Sequence, residues 1–216
     1  MITLYGEGRG FRVAWLLEEM DLPYTLRPVD MLAGVENDPE FLQVNPGGFI
    51  PAISDGDMVM VESIAIMQYL LARYGPSPLA PTPDDANFAT YLQFLHLAEA
   101  GVATPLNLAL LGRILNADLP QPDWTAREAV AMFERRRRLI AQQLDAAPHI
   151  AGEQFTAADI AMTYALEFAF RTGSAVPTEA ELAYIMRTTS RDAYQRAVAA
   201  SENFASWAAT QGAENV

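Results

Sequence analysis

Asn45-Pro46-Gly47-Gly48-Phe49-Ile50-Pro51-Ala52-Ile53, followed by Asp55-Gly56 and then by Val61-Glu62-Ser63-Ile64-Ala65-Ile66 and Tyr69-Leu70, is the stretch whose reading decides the fold. A proline inside an apolar β run removes a ladder donor, so Pro51 belongs at an edge or a turn, where a cis X-Pro bond is at home. A cis Pro51 is expected to open the Ile50 backbone; a trans proline in an ordinary buried hairpin is the competing reading. Ser54, Asp55, Gly56 and Asp57 separate the runs Phe49 to Ile53 and Met58 to Val61, a hairpin signal. Ser63 to Tyr74 then reads as helix. Its N-terminus would present N–H groups and the positive end of the dipole to a carboxylate, while the Glu62 side chain could accept from an ammonium group. Taken without a ligand, Glu-Ser at a helix start reads as capping chemistry.

Towards the N-terminus, Ile2 to Tyr5 is a short β run, ended by Gly6, Gly8 and Gly10, after which Phe11 to Met20 carries apolar residues at helical spacing. Tyr24 to Val29 reads as a second strand and Glu40 to Val44 as a short helical piece. The order βαβαββα within residues 1–75 predicts an α/β domain with a mixed four-stranded sheet, the thioredoxin-like plan. Towards the C-terminus, Gly75 to Pro83 holds four prolines in nine residues, which cannot continue a helix, so residues 76–84 are expected to be a stiff linker. Residues 85–216 lose the strand signal. Amphipathic periodicity predicts an all-α domain with helices over Asp85–Leu115, Trp124–Ala146, Ala157–Arg171, Glu179–Arg187 and Asp192–Ala209.

The chain has 216 residues, 51% of them hydrophobic, and a formal charge of -13. That charge repels phosphate backbones and anionic membranes, so neither nucleic acid nor membrane is expected as a partner. No cysteine is present, which excludes disulfides and a protein thiol nucleophile; any sulfur chemistry must come from a ligand. The first residues lack a basic segment followed by an apolar one, so a cytoplasmic location is expected.

The motif quoted first resembles the glutathione-binding stretch of the glutathione S-transferase family, in which an N-P-x-G-x-x-P-A-L run leads to a D-G turn and an E-S-x-A-I helix start. The likeness is to the cytosolic, bacterial theta/nu-like type with an atypical first loop. It implies glutathione as co-substrate, conjugation of its thiolate to a hydrophobic electrophile, a role in detoxification and a homodimer. It also implies that the Ile50 main chain, before Pro51, pairs with the cysteinyl part of glutathione, and that Glu62 and Ser63 hold the γ-glutamyl end. Phe49 stands where many members carry Lys or Arg for the glycyl carboxylate. Arg9 is the candidate to replace that charge, with Gln43 and Asn45 behind it.

The family activates the sulfur with a Tyr, Ser or Cys near the end of the first strand, whereas here no Ser, Thr or Cys stands between Gly6 and Tyr24. A glycine, Gly8 or Gly10, falls where the serine would be. Loop amides from Gly8 to Phe11 and the Arg9 guanidinium could hold a thiolate in its place. Tyr5 is the other candidate, since Tyr5-Gly6-Glu7-Gly8-Arg9-Gly10 is similar to the Y-x-x-x-R-G of tyrosine-type members; a strand-end tyrosine otherwise packs. The resemblance leaves open a glutathione-dependent reductase or lyase, and a non-catalytic ligand-binding or interaction protein.

In the helical half, Thr156-Ala157-Ala158-Asp159 is a capping box before an apolar run. Glu134 to Arg138 reads as a solvated face with salt bridges, and His96 and His149 as structural residues without metal partners. The pocket for the second substrate is expected between Tyr5, Arg9 and Phe11 and a helical stripe of Leu106, Leu110, Tyr164 and Phe168.

Overall fold

In the computed structural model, which describes residues 1–31, 33–115 and 124–201, the β runs of the N-terminal stretch form one four-stranded sheet. The strands are β1 (Ile2–Tyr5), β2 (Tyr24–Arg27), β3 (Ala52–Asp55) and β4 (Met58–Val61), in the order β2-β1-β3-β4. β1 and β2 are parallel, joined through helix α1 (Phe11–Glu19), and the other two pairs are antiparallel. Helix α2 (Pro39–Val44) precedes β3, and α3 (Ser63–Tyr74) follows β4. This is the thioredoxin-like arrangement the sequence predicts. Leu4, Trp15, Leu16, Leu17, Ile53, Ile66, Met67 and Leu70 are fully buried and form its main core. A second apolar cluster of Val29, Phe41 and Ala52 takes in Tyr5 and Ile50.

Asp38 starts α2 by accepting from the Phe41 N–H at 2.9 Å, and its carboxylate also takes both Nη groups of Arg27, at 2.9 and 2.8 Å. A bidentate arginine of this kind fixes direction as well as distance. The hydrogen bonds from Arg27, and after them the one from the Phe41 amide, hold the Asp38 carboxyl below its ordinary value.

The chain divides into two compact units. The first comprises Met1–Ser77 together with the described residues from Ser190 to Ser201; the second is Pro78–Thr189. The division falls inside the proline-rich stretch. Helix α9 (Asp192–Ala200), which sequence periodicity places with the other C-terminal helices, packs on α1 within the first unit. Tyr194 lies edge-on to Phe11 and Trp15, with ring centroids 5.4 and 4.8 Å apart. Arg191 grips Glu19 with Nε at 2.6 Å and Nη2 at 2.7 Å, and Arg196 reaches Glu18 at 2.7 Å. The part of that periodic stretch from residue 202 to 209 lies outside the described residues.

The second unit is helical. It contains α4 (Phe88–His96), a π-helical segment (Leu97–Ala103), α5 (Thr104–Leu115), α6 (Trp124–Ala146), α7 (Ala157–Arg171) and α8 (Glu179–Thr189). The stretch Phe88–Ile114 is long and apolar enough to cross a membrane, and half of its most apolar window is buried in the unit, as in a core helix. α7 is buried on nearly all sides, which its alanines permit by letting neighbours approach closely.

The α7 N-terminus carries the expected capping box, and Asp159 does more than cap. Completely buried, its carboxylate accepts from the Thr156 N–H (2.8 Å), the Thr156 hydroxyl (3.1 Å), the Ile150 N–H (2.8 Å) and the Tyr184 hydroxyl (3.0 Å).

The Glu134 to Arg138 run is less uniform than a solvated face. Arg135 pairs with Glu128 at the surface, but Arg137 turns inward, between the rings of Phe133 and Phe170, and grips Glu181 with Nε at 2.7 Å and Nη2 at 2.5 Å. Glu181 also accepts from the Thr178 N–H at 2.8 Å, which caps α8. Burial of Glu181 favours its neutral form, but the hydrogen bonds from Arg137 and Thr178 outweigh it, and the folded-state pKa lies below the ordinary glutamate value of 4.5. The unfolded chain therefore binds this proton more tightly than the folded one. The pair's contribution is full above pH 4.5 and is lost as pH falls through the lower folded value. In chemical denaturation at neutral and acid pH, Glu181→Gln is expected to lose stability at pH 7 and to show a smaller fall on acidification than wild type. Equal slopes in the two proteins would contradict this.

Candidate functional site

Sheet register brings three separate segments to one end of the first unit. Tyr5 is paired with Ala52, and Ala52 with Val61. The glycine loop that follows β1, the Ile50-Pro51 segment that precedes β3 and the Glu62-Ser63 helix start that follows β4 therefore emerge side by side.

The Ile50-Pro51 bond is cis, as the sequence reading expects. Among the described residues neither the N–H nor the C=O of Ile50 has a backbone hydrogen-bond partner. The Ile50 side chain lies on the glycine loop. A Cβ at Gly6, whose φ is 85°, would stand 2.3 Å from Ile50 Cγ2, so only glycine fits there. Gly8 comes within 3.8 Å of Ile50 Cδ1 and Gly10 within 3.4 Å of Pro51 Cβ, measured in the same way.

The turn Gly8–Gly10 is 3-10 helical, and it uses two of the loop amides internally: Gly10 N–H donates to Glu7 C=O and Phe11 N–H to Gly8 C=O. This corrects the expectation that all the amides from Gly8 to Phe11 face a ligand. Gly8 is exposed, and among the described residues its N–H has no partner. Arg9 is half-buried on the same turn.

Tyr5 is turned the other way. Its ring packs 6.2 Å from that of Phe41, under the Arg27 guanidinium, and its hydroxyl reaches back along the sheet to Ser54 Oγ at 3.5 Å. Ser54 is paired with Thr3, two residues back from the loop, so the geometry gives Tyr5 a packing role and not the catalytic one considered from sequence. Asn45, another candidate for a ligand carboxylate, is buried and committed to the loop before Pro51: Nδ2 donates to Phe49 C=O at 2.6 Å and Oδ1 accepts from Gly47 N–H at 3.0 Å. Its part is to shape the Pro46–Phe49 turn.

Glu62 is the N-terminal flanking residue of α3, with φ 71° and ψ 103°, a conformation rare outside glycine. Its C=O accepts from the Ile66 N–H, which leaves the amides of Ser63, Ile64 and Ala65 without a helical partner, as at every helix start. Ser63 is buried and Glu62 is exposed. The Glu62 side chain does not cap the helix, so the capping interpretation does not describe this residue.

Of the residues expected to line a second pocket, Leu110 and Phe168 are half-buried, whereas Phe11, Leu106 and Tyr164 behave as core. Phe11 is fully buried against Trp15 and Tyr194, and in the second unit Leu106 and Tyr164 are buried. Among the described residues no three His, Asp or Glu side chains come together as metal ligands would.

Residues 2–72 match the sequence profile of the glutathione S-transferase N-terminal domain. Glutathione S-transferase 3 of Zea mays is 34% identical over 158 residues, which span 68% of each chain. The chain belongs to the glutathione S-transferase family. Glutathione S-transferase theta-2B of Homo sapiens is 33% identical over 144 residues, 64% of this chain and 58% of that one. The crystal structure of the glutathione transferase URE2P6 from Phanerochaete chrysosporium, in complex with oxidized glutathione, shares the fold with a TM-score of 0.79 at 24% identity, covering 95% and 97% of the two chains. In this glutathione S-transferase the first loop carries no hydroxyl or thiol side chain, and Phe49 is 39% exposed.

Proposed function

We propose that this glutathione S-transferase binds glutathione at the end of its sheet and transfers the glutathione sulfur to a mostly apolar electrophile. The observation that carries this reading is the convergence of the glycine loop, the unpaired Ile50 backbone and the Glu62-Ser63 helix start at one end of the first unit. The cysteinyl part pairs with the Ile50 main chain as an added strand would. The γ-glutamyl carboxylate lies on the first amides of α3, and its ammonium group meets Glu62. The sulfur, as thiolate, is held by the Gly8 amide and the Arg9 guanidinium, and attacks the electrophile directly. The functional unit is a homodimer, as the family likeness implies.

Titration calorimetry with reduced glutathione, followed by thiolate absorbance of the complex against pH, tests the reading. Wild type is expected to bind saturably and to lower the thiol pKa. In Arg9→Ala the bound thiol pKa is expected to rise back towards that of free glutathione. Loss of affinity without any change in thiol pKa would place Arg9 on the glycyl carboxylate instead, and absence of binding at millimolar glutathione would overturn the reading.

A further inference from the structure

The assignment above uses only the main chain of Ile50, yet its side chain has a definite place. All three glycines of the first loop lie against the Ile50-Pro51 segment. Gly6 faces Ile50 Cγ2 and Cβ, which lie 2.3 and 2.6 Å from where its own Cβ would stand. Measured in the same way, Gly8 faces Ile50 Cδ1 at 3.8 Å and Gly10 faces Pro51 Cβ at 3.4 Å. The Ile50 side chain therefore runs from Gly6 to Gly8, with its branch on the first and its terminal methyl on the second, and it also packs on the cluster of Val29, Phe41 and Ala52. The two ends of this contact are held differently. Gly6 is tied to the sheet, its N–H donating to the Arg27 C=O at 2.9 Å. Among the described residues no backbone hydrogen bond joins residues 6–10 to residues 48–51, and Cδ1 is the one atom within 4 Å of the Gly8 Cβ position apart from Gly8's own chain neighbours. At Gly8 the gap between loop and segment is thus set by that methyl.

We propose that the Ile50 side chain is a positioning residue, a spacer that sets the distance between the bound thiol and the Gly8 amide; this rests on the glutathione reading. The sulfur of a cysteinyl residue stands one methylene from the Cα that pairs with the Ile50 main chain, so its reach is fixed. Whether the Gly8 N–H lies at hydrogen-bonding distance then depends on how far the loop stands from Ile50. A hydrogen bond weakens steeply with length and misalignment, so a small shift of the loop costs thiolate stabilisation while the pairing of the cysteinyl backbone is untouched. A β-branched residue suits this part, because its χ1 is stiff and the branch on Gly6 fixes where Cδ1 points. One residue thus divides two tasks: its main chain receives the peptide, and its side chain holds the loop that stabilises the sulfur.

The test uses the full chain as wild type, Ile50→Val and Ile53→Val, with glutathione and an activated aryl halide as probes. Ile50→Val removes Cδ1 alone and keeps the branch on Gly6. Ile53→Val removes the same methyl from a fully buried isoleucine of β3 and is the control for lost core packing. Calorimetry is expected to find the glutathione affinity of Ile50→Val close to that of wild type. The thiol pKa of its complex is expected to rise, and kcat at neutral pH to fall by roughly 10-fold, part of the way to the about 100-fold that a misplacement of about 1 Å can cost. The deficit should narrow at alkaline pH, where the thiolate forms without help from the loop. Ile53→Val is expected to lower the unfolding midpoint and to leave thiol pKa and kcat as in wild type. The proposal is overturned if Ile50→Val keeps the wild-type thiol pKa and kcat, or if Ile53→Val shifts them as far. It is equally overturned if Ile50→Val loses glutathione binding altogether, since the side chain would then serve to form the peptide site and not to space the loop. A wild type that binds no glutathione would overturn the glutathione reading as well, and calorimetry on the wild type separates that result from the others.

Discussion

Replacing Glu62 with glycine is expected to make the protein more stable and its glutathione site weaker at the same time. With φ 71° and ψ 103°, Glu62 occupies a backbone region that costs a non-glycine residue about 1–3 kcal/mol. Glycine adopts it freely but loses more chain entropy on folding, by roughly 0.5–1 kcal/mol. The difference leaves a gain of about 1 kcal/mol, which for a chain of this size raises the unfolding midpoint by about 2–4 °C. The same change removes the carboxylate assigned to the γ-glutamyl ammonium. A charge-assisted hydrogen bond of this kind contributes about 1.5–3 kcal/mol, so affinity should fall by roughly 10-fold to 150-fold. Glu62→Ala provides the control, because it loses the carboxylate and keeps the strained backbone. Thermal unfolding and glutathione titration of the two variants decide the matter. If Glu62→Gly melts no higher than Glu62→Ala and binds as wild type does, the strain serves no ligand.

The larger stability effect is expected at Asp159. Its carboxylate is fully buried and accepts from two backbone amides and two hydroxyls. Alanine there leaves the Ile150 and Thr156 amides without their acceptor and the Tyr184 hydroxyl with only the Asp159 main-chain carbonyl, at 3.4 Å. Each such group costs about 1–3 kcal/mol when left unsatisfied, and partial access of water recovers some of it, so a loss of about 4 kcal/mol is expected. Asp159→Asn keeps the shape but replaces one accepting oxygen with a donor, and should fall between the two. Urea unfolding followed by far-UV circular dichroism, which reports the helices of the second unit, would measure this. A change below about 1 kcal/mol for Asp159→Ala would mean that the donors find other acceptors, as at an ordinary exposed cap.

Local chemistry made much of this molecule legible in its sequence. Pro51 after an apolar residue, Asp55-Gly56 in a turn and Thr156 three residues before Asp159 each fix backbone geometry over a few residues, and each is found as read. Long-range pairing is where the sequence reading stopped. Nothing near Tyr5 says that its hydroxyl will find Ser54, because that depends on the β1–β3 register. Nothing near Arg191 points to Glu19, 172 residues away. The Glu134 to Arg138 run is a charge cluster to any local reading; only the α8 packing singles out Arg137. The Glu62 backbone could not be foreseen, because strain of that kind opposes local preference.

The return of α9 to the first unit bears on how the protein is made. Phe11 and Trp15 stand at the head of the helix that carries the glycine loop, and the ring that meets both is Tyr194. A nascent chain that has just completed Ser77 has every strand of the sheet but lacks this cover. At about 5–20 residues per second, the ribosome needs roughly 6–25 s more to reach Ala200. During that interval the second unit can fold in full while the first waits with an aromatic face uncovered. Fragments ending at the proline-rich stretch would inherit the same gap permanently, so an isolated sheet domain should be made as a fusion that restores Ser190–Ser201.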